Sequence, residues 1–372
     1  MLPSLNFSSP GAAVPVMHFG LMPSELNRFA ERTQAATKII VVDLGFLGDT
    51  VHLVPALWEI KNQYPKAALH VLASPLGGEV LKLVPCVDRV WAMPLGPPSP
   101  KWWEHWDLLR TLRRERFDVA FNFSGADRTV FVTRAIRARH SLGYQGARKH
   151  FWQLWLISDW IAQRPLPCPV YAGRREILKL CGFNLQPVRF DLAIPTKDLA
   201  WAEANFPAKA VHFSLSASTP LKEWPLRHWI ELAKLWLRGN LQRTVIASGS
   251  TNPREQVRLK EFAAGVGDQR VQILPAGISI AKLAAALSRC EAHVGADSGV
   301  LHLAMALGIK TLAIFREYSG AQDWLPQGAL HRHLSNPCPC ANAKEQPCAP
   351  SQEARCLAEI EPARAANLLA KF

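Results

Sequence analysis

No apolar run in the 372-residue chain reaches the ~18 residues that a membrane-spanning helix requires, so no helical span is expected. Residues 1–20 are apolar and Pro-containing, but they lack a basic leader and a clean hydrophobic block. We therefore expect no signal peptide and a cytosolic protein. Eight cysteines are too sparse for a disulfide scaffold, and Cys86, Cys168, Cys181 and Cys290 read as small buried hydrophobes. Acidic residues are scarce: 30 Asp and Glu face 43 Lys and Arg, a net charge of +13 that favours anionic partners. At 49% apolar and 20% charged residues, the composition excludes a disordered chain and suffices for about two buried cores. The spacing Gly-x-Gly-x-x-Gly is missing where a dinucleotide site would need it, because the first glycine turn reads Gly45-x-x-Gly48.

What is present is alternation. Residues 38–44 form a continuous apolar run of buried-strand type, followed by a glycine turn and a helical pattern over 50–64. Strands at 68–73, 89–93 and 118–123 alternate with helices near 79–84 and at 103–116. After Ser124 the alternation fades, and 187–195 is a proline-bounded stretch that reads as a hinge. Beyond it the pattern restarts, with strands at 210–215, 243–248, 271–274, 292–295 and 311–315 and helices between them. This predicts an α/β protein of two doubly wound units, 38–190 and 191–372, with 1–37 as an N-terminal extension. Ligands in such units sit at the C-terminal ends of strands, which directs attention to the loops there.

Three loops carry chemistry. In Gly45-Phe-Leu-Gly48-Asp49, the glycines allow close backbone approach; Asp49 is either a helix cap or a general base at the cleft floor. Ser214-Leu-Ser216-Ala-Ser218-Thr219-Pro-Leu-Lys222-Glu-Trp224-Pro225 combines hydroxyls, a lysine and an imminent helix start. It reads as a phosphate cradle with Ser218, Thr219 and Lys222, or as an ordinary turn with a solvated lysine. Asp297-Ser298-Gly299-Val-Leu-His302 lies at a strand-to-helix junction, where Gly299 would let a diphosphate approach free amides. His302 follows Ser298 by one helical turn and reads equally as a core histidine.

Together these motifs resemble glycosyltransferase family 9, the heptosyltransferases, which pair a Gly-Asp-x-x-x-x-x-Pro turn with Lys-x-Trp-Pro and Asp-Thr/Ser-Gly-x-x-His. Here they are Gly48-Asp49 to Pro55, Lys222 to Pro225 and Asp297 to His302, in the family's order. The resemblance implies a GT-B fold, two Rossmann-like domains across a cleft, and an inverting transferase whose chemistry needs no metal. It implies an ADP-heptose-type donor and an anionic, lipid-linked saccharide acceptor of the lipopolysaccharide core, met at the inner membrane surface. By the same resemblance Asp49 is the base and Lys222 binds phosphate. Asp297 holds donor-sugar hydroxyls, Ser298, Gly299 and His302 line the diphosphate, and Glu255 reaches the ribose. Asp43 departs from the pattern, since relatives often carry a basic residue there.

Between Trp102 and Trp155 lies an arginine-rich, tryptophan-bearing stretch. Part of it reads as a solvated helix face; the rest, with Arg113, Arg128 and Arg134, reads as an acceptor surface at the membrane. No nucleic-acid module is recognisable, so no nucleic-acid partner is expected. Near the C-terminus, in segment 336–357, Cys338, Cys340, Cys348 and Cys356 suit a structural Zn or Fe site, although C-x-C is not the common knuckle spacing. Other classes compatible with the fold are a non-catalytic nucleotide-sugar or envelope-glycan binder and a nucleotide-sugar epimerase.

Overall fold

Four consecutive β-branched residues in Lys38-Ile-Ile-Val-Val-Asp43 pack well on a pleated surface and crowd a helix, so they form strand β1 (Lys38–Asp43). All four are buried, as befits a central parallel strand covered on both faces. The computed structural model of the chain describes residues 28–95, 102–144, 151–161, 168–318, 320–338, 348 and 350–372. A short helix, α1 (Phe29–Arg32), precedes β1. Its Phe29 is fully buried against Phe121, ring centroids 5.9 Å apart, so this last part of the extension belongs to the first core.

From β1 the chain runs through α2 (Leu47–Gln63), β2 (Ala68–Ala73), α3 (Pro75–Leu81), β3 (Arg89–Ala92) and α4 (Trp106–Arg114). It continues through β4 (Val119–Asn122), α5 (Asp127–Ile136), β5 (His140–Tyr144), β6 (Asp159–Ile161) and α6 (Val170–Leu180). The strands form one parallel sheet in the order β3-β2-β1-β4-β5-β6. Helix α3 starts earlier than the apolar spacing indicates, because Ser74 caps it, accepting from Gly77 N–H at 3.2 Å, with Pro75 at the first helical position. The alternation does not stop at Ser124. Strand β5 is short and only Leu142 and Gly143 within it are buried, so its periodicity is too weak to read.

The second unit opens with α7 (Thr196–Asn205), then β7 (Ala210–Ser214), α8 (Leu226–Arg238), β8 (Val245–Ser248), α9 (Pro253–Val266) and β9 (Val271–Ile273). It is completed by α10 (Ile280–Ser288), β10 (Cys290–Gly295), α11 (Gly299–Ala306), β11 (Lys310–Ile314), β12 (His331–Leu334), α12 (Arg355–Ala358) and α13 (Pro362–Leu369). Its sheet is parallel in the order β12-β11-β10-β7-β8-β9, the same topology as the first. Each sheet therefore reverses its strand order beside its first strand, between β1 and β4 and between β7 and β10. Crevices for ligands open at such points. The glycine turn with Asp49 follows β1, the Ser218–Lys222 loop follows β7, and Asp297 follows β10.

The two units touch through an apolar seam. Leu47, Val51, Val80 and Leu83 of the first pack in one cluster with Ala202, Ile246, Leu283 and Leu303 of the second. The closest approach is helix tip to helix tip. A Cβ on Gly299 would stand 2.6 Å from Leu47 Cβ, and one on Gly48 would stand 2.7 Å from His302 Cδ2. Only glycine fits at either position.

Candidate active site

The front half of the site is built on the C-terminal end of β1. Asp43 Oδ1 accepts from Gly45 N–H at 3.1 Å, which turns the chain, and Asp49 Oδ2 accepts from Phe46 N–H at 2.9 Å. That second bond satisfies one of the free amides at the start of α2, so Asp49 does cap its helix. A Cβ on Gly45 would meet Asp49 Cβ at 2.5 Å, which explains the first glycine of the turn. Arg174 reaches in from α6: its Nη1 donates to the Asp49 carbonyl at 2.7 Å and lies 3.7 Å from Asp43 Oδ2. Burial raises the Asp49 pKa above the ordinary carboxylate value; the Asp43 charge adds to this and Arg174 opposes it. Capping and base chemistry are compatible, because only one carboxylate oxygen is engaged by the backbone.

The rear half joins two loops. Lys222, at the end of the 3₁₀ turn Pro220–Lys222, places Nζ 2.6 Å from Asp297 Oδ2. Tyr318 donates its hydroxyl to the same oxygen at 3.2 Å, and Lys222 Nζ lies 5.1 Å from the centre of the Tyr318 ring. Ser298 begins α11 and leaves its hydroxyl 3.4 Å from that of Ser214 rather than capping the helix. The amides at the tip of α11 thus lack a side-chain acceptor from their own cap residue, in an arrangement suited to an anion. Ser218 and Thr219 are exposed on the loop before Lys222.

Glu255 lies apart from these groups: its carboxylate accepts from Ser250 N–H at 2.7 Å and rests against Gly249, rimming the loop after β8. Two residues escaped the sequence reading. Tyr318 lies in a loop without periodic signal. Glu223 sits inside the Lys-x-Trp-Pro motif, is buried, and accepts from Ala217 N–H at 3.0 Å and from Arg254 at 2.7 Å. It braces the loop carrying Ser218 and Thr219, and a Glu beside Lys222 gave no hint that it pointed inward.

His302 is buried and its Nδ1 lies 3.0 Å from His52 Nε2 across the seam. Burial lowers the His302 pKa to about 4, with Asp297 opposing and Lys222 adding to the shift. Of the three arginines expected at an acceptor surface, Arg128 lies in the first turn of α5, beyond the C-terminal end of β4 and so toward the crevice. Arg113 and Arg134 occupy the last turns of α4 and α5, which lead into the opposite edge of the sheet. The described cysteines of the C-terminal segment, Cys338, Cys348 and Cys356, do not gather into a metal site. Among the described residues no three His, Cys, Asp or Glu side chains converge as ligands. Cys356 contacts Cys338, Cys348 is buried, and Cys340 lies outside the described residues.

Two Rossmann-like sheets whose switch points face one seam, with a carboxylate on one lobe and a lysine, an aspartate and a helix tip on the other, define the GT-B architecture. Solved heptosyltransferase structures share the fold. One is Escherichia coli ADP-heptose lps heptosyltransferase II, at a TM-score of 0.71 and 19% identity over 90% of this chain and 98% of that one. Another is the E. coli heptosyltransferase WaaC with ADP-2-deoxy-2-fluoro heptose, at 0.69 and 19% over 90% and 99%. The chain belongs to glycosyltransferase family 9 (heptosyltransferase), whose family model matches residues 105–353. Its relatives include lipopolysaccharide heptosyltransferase 1 of Pseudomonas aeruginosa, 25% identical over 87% of this chain and 91% of the relative. Lipooligosaccharide heptosyltransferase 2 of Haemophilus ducreyi is 24% identical over 73% and 80%.

Proposed function

We propose that this glycosyltransferase moves a heptose, with inversion, from an ADP-activated donor to a saccharide of the lipopolysaccharide core. The observation that carries the reading is the seam itself. The helix bearing Asp49 and the helix opened by Ser298 and Gly299 touch at their N-terminal tips, with the Lys222–Asp297 pair on the second lobe's side. Two helix N-termini directed at one point leave a positive potential that an anion would neutralise, and a diphosphate is such an anion.

In this reading the acceptor hydroxyl attacks the anomeric carbon as Asp49 takes its proton. The new C–O bond forms while the bond from the anomeric carbon to the diphosphate oxygen breaks. The leaving diphosphate gains negative charge, which Lys222 and the α11 amides stabilise without reorganising. Asp297, released from Lys222, accepts from sugar hydroxyls, and Ser218 and Thr219 donate to phosphoryl oxygens. Glu255 takes the ribose. These chemical roles are met by side chains of the chain itself, and the described cysteines do not fit a structural Zn or Fe.

Arg128 and exposed aromatics on the same lobe suit an anionic, lipid-linked acceptor at the inner membrane surface. Trp155 is 85% exposed, and Phe131, 56% exposed, stacks on Trp152 at 4.8 Å. The test is release of ADP from ADP-heptose with and without a heptose-deficient lipopolysaccharide acceptor. Acceptor-dependent release supports transfer. Donor conversion without acceptor would favour an epimerase, and binding without turnover a silent sugar-nucleotide binder.

A further inference from the structure

His52 on α2 and His302 on α11 are 1% and 2% exposed and bridge the lobes through Nε2 and Nδ1, 3.0 Å apart. Aromatic rings enclose them. Tyr171 stacks on His52 with centroids 5.9 Å apart, and Trp324 stands 5.4 Å from His52 and 5.7 Å from His302. Burial depresses the basicity of both rings, so each is neutral near pH 7 and carries one proton on one of its two nitrogens.

The proton in the bridge belongs to one ring or the other. If His302 Nδ1–H donated, the proton of His52 would have to sit on its own Nδ1. That atom is buried and has no hydrogen-bond partner among the described residues. An orphaned buried N–H is rarer and costlier than an acceptor left unpaired. The economical arrangement has His52 Nε2–H donating and His302 Nδ1 accepting. The proton of His302 then resides on Nε2, which faces the close-approach site at Gly48, 3.4 Å from where a Cβ would stand.

We propose that His52 is a positioning residue: its Nε2–H holds His302 as the neutral Nε2–H tautomer, presenting a donor at the lobe seam to a phosphoryl oxygen of a nucleoside diphosphate. The inference rests on the reading of the seam as the donor site. Held the other way, His302 would offer a lone pair to an anionic oxygen, and the contact would be repulsive. The same bond ties the base-bearing helix to the donor-binding helix, so one imidazole sets both the tautomer and the spacing between lobes.

The experiment uses the full chain labelled with ¹⁵N-histidine, with two-bond ¹H–¹⁵N correlations reporting each tautomer and His302→Gln assigning the signal. ADP affinity is measured by calorimetry on the same samples. The wild type should show His302 protonated at Nε2. His52→Phe, which keeps a ring among its aromatic neighbours, should mix the tautomers and weaken ADP binding about two- to tenfold, the range of one neutral hydrogen bond. His52→Gln, which retains an N–H donor, should recover most of that loss. His302 protonated at Nδ1 in the wild type would overturn the proposal without recourse to any variant. So would His52→Phe protein with unchanged tautomer and unchanged ADP affinity. Wild-type protein with the expected tautomer that binds no ADP would instead overturn the donor-site reading, which keeps the two failures apart.

Discussion

Lys222 Nζ and Asp297 Oδ2 lie 2.6 Å apart, so cation and carboxylate neutralise each other across two loops of the rear lobe. On the proposed mechanism a donor entering there parts them, setting Lys222 on phosphate and freeing Asp297 for hydroxyls. Lys222→Ala is therefore expected to weaken ADP binding at least tenfold, since hydrogen bonds to charged groups contribute about 1.5–3 kcal/mol. Calorimetry with unchanged affinity would remove Lys222 from the phosphate site.

Removal of the base should separate chemistry from binding. Asp49→Ala is expected to cut turnover by about 10²–10⁴, the range typical of general-base catalysis, while ADP affinity stays within a few-fold. Turnover near that of the wild type would assign the proton transfer elsewhere.

The pH profile should respond to the charges around that base. On the proposed mechanism transfer requires ionised Asp49, whose pKa is raised by burial and by Asp43 and restrained by Arg174, while His302 behind Gly48 is neutral. The rate should fall on the acid side at a pH above the ordinary aspartate value of 3.8. Asp43→Asn should move that limb to lower pH, and Arg174→Gln to higher pH. Profiles of kcat/KM that coincide for all three proteins would show that these charges do not act on the titrating group.

Glycine at the seam is a packing requirement. Gly48→Ala and Gly299→Ala each place a methyl within 2.7 Å or less of the opposite lobe. Overpacking of this kind costs about 1–3 kcal/mol and should lower both the melting temperature and activity. Wild-type melting in both variants would mean that the lobes are not held in this contact in solution.

Acid should destabilise the fold well before carboxylates titrate. His52 and His302 at the seam, and His212 and His293, bonded 2.9 Å apart between β7 and β10, are buried and neutral. Burial holds His212 at about 3 and His302 at about 4, and depresses His52 and His293 well below 6.5. Below pH 6.5 the unfolded chain binds protons that the folded chain refuses, so stability present above 6.5 drains as pH falls toward the folded values. The slope is up to about 1.4 kcal/mol per pH unit for each such histidine. Melting temperatures at pH 7 and pH 5 check this; equal values would mean that these rings are accommodated as cations.

Much of the fold was legible because parallel strands buried on both faces are written as unbroken apolar runs, as in Ile39–Val42 and Leu312–Ile314. Two short polar strands were not. His331-Arg-His-Leu334, at the edge of its sheet, and His140-Ser-Leu-Gly-Tyr144, between β4 and β6, are short and polar, and their pairing rests on the backbone of neighbouring strands. The candidate site was legible where function leaves a composite local signature, as at Gly48-Asp49, Lys222 and Asp297. It was illegible where a side chain's direction decides its role. Glu223 turns inward and Tyr318 reaches Asp297, whereas Arg113 and Arg134 fall at the far ends of their helices.

By itself the amino-acid order determined two α/β units and the loops that carry their chemistry, because hydrophobic period and turn chemistry are local properties. Only the tertiary structure decided that Gly48 abuts His302, that Gly299 abuts Leu47, and that His52 and His302 share a proton across 250 residues of chain. Those contacts arise from how one lobe seats on the other, and no short-range pattern encodes the seating of two separately folded sheets.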